Sequence, residues 1–306
     1  ANSGKGELMN YLASPFVGMA TDFGVKGLGV GLSFYAPFGG SSKYEKGADN
    51  KRFPGAYDGV QRWWAIEGTI KSVYITGTAA YRIEAARLSI GLSLNGVKSE
   101  VYTARARNVD GTDHLLEGPG SSKEGRALLD TSSWDLSLGA GLIWEPVDKF
   151  WIGLSYQGAP GFGETEQEGT VRLNFGDQAT EPGKEDVTLY QSLPDVWQFG
   201  FRWRPKETLE LRLFGNYITW SAFKSQCVLK SSSAKPPQSC DYDADAESAR
   251  NAAGQPLQAA KPLVLIPRDW EDGYAVRLSG SYWVSKPVEL ILGGGYDSSA
   301  VPDATL

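Results

Sequence analysis

Side chains that change character at every second residue constrain this chain more than any other feature. Between residues 196 and 203, Trp197, Phe199, Phe201 and Trp203 alternate with Gln198, Gly200 and Arg202. Trp134, Leu136, Leu138, Ala140, Leu142 and Trp144 likewise oppose Asp135, Ser137, Gly139 and Gly141. Phe150, Ile152, Leu154 and Tyr156 oppose Gly153, Ser155 and Gln157. Leu209, Leu211, Leu213 and Tyr217 oppose Glu210, Arg212 and Asn216, and Tyr274, Val276, Leu278 and Tyr282 oppose Arg277, Ser279 and Ser281. A period of two belongs to the β-strand, whose successive side chains leave on opposite faces. An all-β, antiparallel fold follows, and alternation alone suits a soluble sandwich as well as a barrel. The second face decides between them. It is small and polar, yet it carries Arg202, Arg212 and Arg277, charges that a dry core does not hold unpaired. A wet or ligand-lined interior does.

About ten strands are predicted, near 8–20, 27–38, 62–82, 88–106, 133–145, 150–174, 186–204, 208–230, 265–284 and 288–297. Short polar turns near Ile83–Ala86, Pro146–Lys149, Pro205–Thr208 and Val284–Pro287 alternate with long polar loops near Gly39–Arg62, Arg107–Ser132, Gly158–Ser192 and Ser221–Pro267. Short turns at one end and long loops at the other are the habit of outer-membrane barrels. Aromatic residues also sit at the ends of the apolar faces. Trp144, Phe150, Trp203 and Tyr282 lie by short turns, and Trp134, Tyr156 and Tyr274 by long loops. Rings with an apolar body and a polar tip belong where hydrocarbon meets water. Thirty-seven glycines, sixteen prolines and only two methionines agree with strands better than with helices. No stretch of about 18 apolar residues is present, so no transmembrane helix is expected. The expected fold is one antiparallel transmembrane β-barrel domain over 1–306, and no repeat of blade length points to a propeller.

A net charge of -6 argues against a nucleic-acid partner. Cys227 and Cys240 are the only cysteines, and the single histidine, His114, is far from both in sequence, so a disulfide closing a polar loop is expected rather than a metal site. Gly118–Gly125 is glycine-rich but lacks the Gly-Lys-Ser/Thr order of a phosphate loop. One histidine in a polar loop leaves no ready Ser–His pair. Glu164, Glu166 and Glu168 read as loop solvation. No enzymatic activity, metal or cofactor is expected.

Two strands carry more specific information. In Gly27–Gly40, Leu32 and Phe34 alternate with Gly31, Ser33 and Tyr35, and then Pro37 arrives without an N–H and Gly39-Gly40 without side chains. A ladder cannot stay intact at Pro37, which in a barrel means a local break in the wall. In 88–106, Ile90, Leu92 and Leu94 share one face, whereas Val97, Val101 and Arg105 share the other. With an unbroken phase the second set points inward near the long-loop end. A β-bulge at Asn95-Gly96 would remove that reading.

These segments together resemble the FadL-type outer-membrane transporters of long-chain fatty acids and hydrocarbons. Gly29–Gly39 is similar to that family's inwardly kinked third strand. Leu193-Pro194-Asp195-Val196-Trp197 resembles its Leu-Pro-Asp/Glu strand opening, and Asn216–Phe223 its Trp-Ser-x-Phe strand end. Trp270–Tyr274 followed by Gly294–Asp303 resembles its last recognisable block. The resemblance implies a fourteen-stranded barrel with an N-terminal plug. The plug, the first strand and about three C-terminal strands have no counterpart here, so a fragment of a larger barrel is expected.

For function the resemblance implies passive uptake of a hydrophobic small molecule across the bacterial outer membrane. The ligand would leave sideways into lipid through an opening at Ala36, Pro37, Phe38 and Gly39. Val97 and Val101 would line its pocket, with Arg105, and secondarily Arg268, facing a carboxylate. Leu115 and Leu116, with Leu128, would contribute to a capture groove in the loop Asp113–Leu129, which reads equally as a solvated loop. Outer-membrane lipid and lipopolysaccharide are the expected surroundings, and no protein partner is indicated. The alternative is a structural or adhesion barrel whose loops bind a partner.

Overall fold

The computed structural model describes residues 8–9, 14–44, 58–108, 124–174, 183–231 and 263–302. It is a single antiparallel sheet of fifteen strands. These are β1 (Leu8–Met9), β2 (Phe16–Thr21), β3 (Leu28–Tyr44), β4 (Glu67–Ile83), β5 (Leu88–Asn108), β6 (Glu124–Val147), β7 (Phe150–Gln157) and β8 (Thr165–Asn174). There follow β9 (Gly183–Gln191), β10 (Val196–Lys206), β11 (Leu209–Ile218), β12 (Ser225–Lys230), β13 (Val264–Pro267), β14 (Gly273–Ser285) and β15 (Val288–Asp297). The short turns are where the alternation places them, and Arg87–Asp148 and Lys149–Glu207 ion pairs tie neighbouring turns together.

Strand β6 forks the sheet. Its lower half, Gly139–Val147, pairs with β7, and its upper half, Arg126–Ser132, pairs with β8. The lower branch runs β6-β7-β10-β11-β14-β15, and the upper branch runs β6-β8-β9-β12-β13. The chain climbs from β7 into β8, descends from β9 into β10, climbs from β11 into β12 and descends from β13 into β14. Four predicted strands, 150–174, 186–204, 208–230 and 265–284, are therefore each broken in two. The breaks at 158–164, 192–195, 219–224 and 268–272 form a seam between two tiers. This corrects the expectation of unbroken strands, and strand also extends through 124–132, part of a predicted loop. Glu166 and Glu168 consequently lie exposed on β8 rather than in a loop.

The lower tier is inside-out. Leu92 is 65% exposed and Leu278 60%, whereas Ser137 and Ser281 are buried on the opposite face. Exposed apolar side chains of this density stabilise a fold only against hydrocarbon. Tyr156, Trp197, Tyr217 and Tyr274 stand directly opposite one another across β7, β10, β11 and β14 and form one aromatic row. Phe150 opposite Trp203 and Leu209 opposite Tyr282 mark the other boundary. From Tyr274 to Tyr282 the strand rises about 26 Å at ~3.3 Å per residue. At the 35–45° tilt of barrel strands this is about 20 Å of height, most of the roughly 25 Å apolar band of an outer-membrane barrel.

Contacts across the interior prove the curvature. Phe38 on β3 reaches Trp220 after β11, with ring centroids 5.7 Å apart. Six ladder steps separate those strands along β3-β4-β5-β6-β7-β10-β11, about 29 Å of flat sheet at ~4.8 Å per step. The wall curls as a barrel, and among the described residues its open edges are β2 and β15 in the lower tier and β1 and β13 in the upper. The interior arginines are paired, contrary to the expectation. Arg202 and Arg212 both hold the buried Glu210 (2.7 and 2.6 Å), and Arg277 holds Asp297 (2.6 Å).

The upper tier has an ordinary core. Val101, Val171, Val187, Leu189 and Val228 pack together, with Leu129, Leu173, Leu263 and Val264 around them. Strand β5 pairs residue for residue through Asn95-Gly96 with both neighbours, so no bulge interrupts its phase.

Candidate functional site: the seam and the bulge in β3

At the height of the seam, β3 carries one residue too many. Tyr35 faces Tyr74 and Phe38 faces Ser72, so Ala36 and Pro37 together oppose Val73. Proline cannot donate to a ladder, and a bulge is the local answer. On its other edge β3 pairs with β2 as far as Phe16–Tyr35 and with β1 from Met9–Lys43. Ser14 donates its hydroxyl to the Ala36 carbonyl (3.2 Å) next to the bulge. Gly39 sits where an added Cβ would come 3.2 Å from the Ile70 carbonyl oxygen, so a side chain there crowds β4.

Inside the wall, Phe38 begins a chain of rings. Tyr35 stacks on Tyr74 (5.4 Å), Tyr74 meets Phe38 (6.5 Å), and Phe38 meets Trp220 edge-on (5.7 Å). Trp220 contacts Trp270 (4.8 Å), and Trp270 contacts Phe223 (5.1 Å), both edge-to-face. Such tilted pairs set the positive edge of one ring against the negative face of the next. Hydrogen bonds fix the seam turns that present them. The Asp195 carboxylate accepts the Ala159 N–H (2.7 Å), and the Asp195 N–H donates to the Thr219 hydroxyl (2.9 Å). The Asp272 carboxylate accepts the Ser221 N–H (2.9 Å) and the Tyr217 hydroxyl. These bonds hold the Asp272 carboxyl below its usual range, the Ser221 contribution being the larger.

Arg268 closes the chain of rings on the upper side. Its guanidinium lies 6.0 Å from the centroid of Phe223 and donates from Nε and Nη2 to the Gln226 carbonyl oxygen (3.2 and 2.6 Å). Gln226 in turn donates to Gln191 (2.8 Å), and both amides are buried. Burial pushes the Arg268 guanidinium below its ordinary range. Among the described residues no carboxylate pairs with it.

Beneath the rings the lumen changes character. A cavity of about 430 Å³ has a mixed lining, with Ser33, Thr76, Thr78, Ser93, Ser155 and Gln198 beside Ala80, Leu142, Ile143 and Val196, and with Tyr35 and Gln157 at its margin. Tyr35 donates to Gln157 across the lumen (3.1 Å).

The structure brings some predicted residues together and separates others. Ala36–Gly39 form the bulge, and Phe38 and Arg268 stand at the two ends of one aromatic group. Val97 is fully buried beside its ladder partner Tyr74, at the height of the seam. Val101, 2% exposed, belongs to the packed upper core rather than to open space. Arg105 lies four residues beyond Val101, half-buried and engaged with other groups. Leu128 sits on β6, whereas His114, Leu115 and Leu116 lie outside the described residues. Cys227 is buried beside Tyr190 and Leu229 and is not a free thiol, while Cys240 lies outside the described residues. Sequence reasoning did not select Trp220, Phe223, Trp270 and Gln226 as site residues. Prolines 160, 194 and 267 at three of the four breaks were the available signal for the seam that presents them.

With this geometry established, the comparisons with known proteins are informative. The sequence matches the family described as outer membrane protein transport protein (OMPP1/FadL/TodX) over residues 3–306. Among solved structures, a FadL homologue from Pseudomonas aeruginosa is similar, with a TM-score of 0.69 at 14% identity, covering 96% of this chain and 61% of the other. The CymD monoaromatic hydrocarbon channel gives 0.59 at 13% identity, covering 97% of this chain and 72% of that one. The Pseudomonas putida toluene transporter TodX gives 0.58 at 13% identity, covering 94% and 69%. This chain thus spans about three fifths of the length of the first of these. No curated protein sequence matches.

Proposed function

Because the chain belongs to the outer membrane protein transport family that includes OMPP1, FadL and TodX, we propose that it admits hydrophobic small molecules, long-chain fatty acids or hydrocarbons, by sideways diffusion through the bulge in β3. The chain is an outer-membrane protein of a transport family rather than of an enzyme class. The observation that carries the reading is the bulge itself. Ala36 and Pro37 together oppose the single residue Val73, and Phe38 beside them links the bulge to the aromatic group in the interior. An apolar solute among those rings has a cavity of mixed polar and apolar lining below it and the bulge in the wall beside it. Each Å² of its apolar surface left facing water costs about 25 cal/mol, whereas lipid leaves none so exposed, and that difference favours the sideways route. Val97 flanks the path, Arg105 and secondarily Arg268 face a carboxylate, and Leu115 and Leu116 contribute to a capture groove. One barrel domain supplies all of this, with lipid and lipopolysaccharide around it.

Deleting Pro37 tests the proposal. It removes the extra residue, sets Ala36 against Val73 and keeps Phe38 against Ser72, so the ladder heals without changing the face of Phe38. Uptake of labelled fatty acid and of an arene into proteoliposomes should fall about tenfold or more, equal to about 1.4 kcal/mol of added barrier. Pro37→Val, which restores a donor without changing length, should give a smaller loss. Unchanged uptake in a folded deletion variant would return the chain to the scaffold reading. A Cys227–Cys240 disulfide is part of the same proposal for the loop above β12. Mass spectrometry of the alkylated, unreduced protein should find neither cysteine labelled, and two labelled thiols would remove the bond.

A further inference from the structure

Arg268 poses a problem that the seam does not solve by itself. A half-buried guanidinium offers five N–H donors, and the two that are engaged both go to a single neutral oxygen, that of Gln226. Gln226 passes its own amide to Gln191, which is also neutral. Among the described residues the network satisfies hydrogen bonds but supplies no negative charge, and a desolvated cation gains from a counter-charge. Next to this cation, Phe223, Trp270 and Trp220 present ring edges and faces at interplanar angles of 85°, 66° and 55° to one another. Edge-to-face contacts favour a further flat ring over a saturated chain of the same area.

We propose that the seam is a subsite for aromatic carboxylates, with Arg268 taking the carboxylate and Trp220, Phe223 and Trp270 taking the ring. The inference rests on the hydrophobic-uptake reading and narrows its substrate class. A neutral arene gains the ring contacts and leaves Arg268 uncompensated. A saturated acid answers the charge and forgoes the edge-to-face contacts. An aryl acid gains both, and a planar carboxylate matches the fork of a guanidinium.

Calorimetric titration of the full-length protein in detergent with phenylacetate, toluene and octanoate tests this. Phenylacetate should bind about tenfold more tightly than either of the others. Arg268→Gln should lower phenylacetate affinity to the level of toluene while leaving toluene binding unchanged, and Arg268→Lys should recover part of the difference. Trp270→Leu should bring phenylacetate down to the level of octanoate. Octanoate or toluene binding as tightly as phenylacetate would overturn the proposal, as would an Arg268→Gln variant with undiminished phenylacetate affinity. The exit route is tested separately, because the Pro37 deletion is read by uptake whereas these affinities are read on the unaltered wall. Uptake that survives the deletion, with the affinity pattern intact, sinks the exit and leaves the subsite standing.

Discussion

The two halves of β5 obey opposite rules on one uninterrupted backbone. From Ile90 to Leu94 the apolar side chains point away from the barrel and the polar ones inward, whereas Val97 and Val101 point inward and Lys98 outward. No bulge changes the phase between them. What changes is the medium outside the wall. Below the seam it is hydrocarbon, so the outer face is apolar and the lumen holds Ser137, Ser281 and the Glu210 ion pairs. Above the seam it is water, so the apolar face turns inward and closes over itself as a packed core. Each half minimises apolar contact with water in its own surroundings. The seam is where the two solutions meet, and the ring group and Arg268 occupy that junction.

Breaking the upper half should give the largest effect. Leu189 is buried at 1% exposure in the core of β9, and Leu189→Asp puts an unpaired carboxylate there, which should cost at least about 4 kcal/mol. The upper tier should become protease-sensitive while the lower tier stays resistant, because the membrane-facing strands keep their own ladder. Simultaneous loss of both tiers would show that they fold as one unit. A smaller effect belongs to the lower half, where the two faces of the wall can be set against each other at one depth. Leu92→Arg faces lipid and should cost about 2–4 kcal/mol if it lies near the midplane. Thr78→Arg, on the neighbouring strand and facing the cavity, should cost under about 1 kcal/mol because the arginine stays hydrated. Equilibrium urea unfolding from vesicles measures both, and equal losses would contradict the inside-out assignment.

The same comparison explains what could be read from the sequence. Alternation revealed the wall, its aromatic rows and the inward turn of Val97 and Val101, because each depends on one residue's distance from the next. It could not reveal the seam. In 150–174 or 208–230 polar and apolar residues continue on both sides of the break, and a period of two does not register that the strand has stepped sideways between them. The prolines at 37, 160, 194 and 267 carried that information, yet Pro194 was read as a strand opening and Pro267 as a loop end, without the sideways step that the breaks make. The pairing of Arg202 and Arg212 with Glu210 was also within reach, since Glu210 shares their face two residues from Arg212. The ring group was not. Phe38, Trp220 and Trp270 are brought together by barrel closure, which no local pattern encodes.

The smallest expected effect lies at the seam and concerns acid. Asp272 sits between β13 and β14, where its carboxylate accepts bonds from the Ser221 backbone and the Tyr217 hydroxyl, and these hold its carboxyl below the ordinary value. A lowered carboxyl contributes stability that is fully present above the unfolded-state pKa of about 3.9 and is lost as pH falls through the folded value. The seam turn 219–222 should therefore loosen only below about pH 4, with neutral and mildly acidic conditions leaving it intact. Trp220 and Trp270 report on that turn directly through their edge-on contact, so tryptophan emission should shift in that window. Asp272→Asn should abolish the shift and leave a constant, slightly loosened seam, because an amide keeps one acceptor oxygen but loses the charge that strengthens its bonds. A shift that persists in the asparagine variant would assign the acid response to another carboxylate. The junction between the tiers would then depend on the ring packing of Trp220, Phe223 and Trp270 rather than on the hydrogen bonds beneath it.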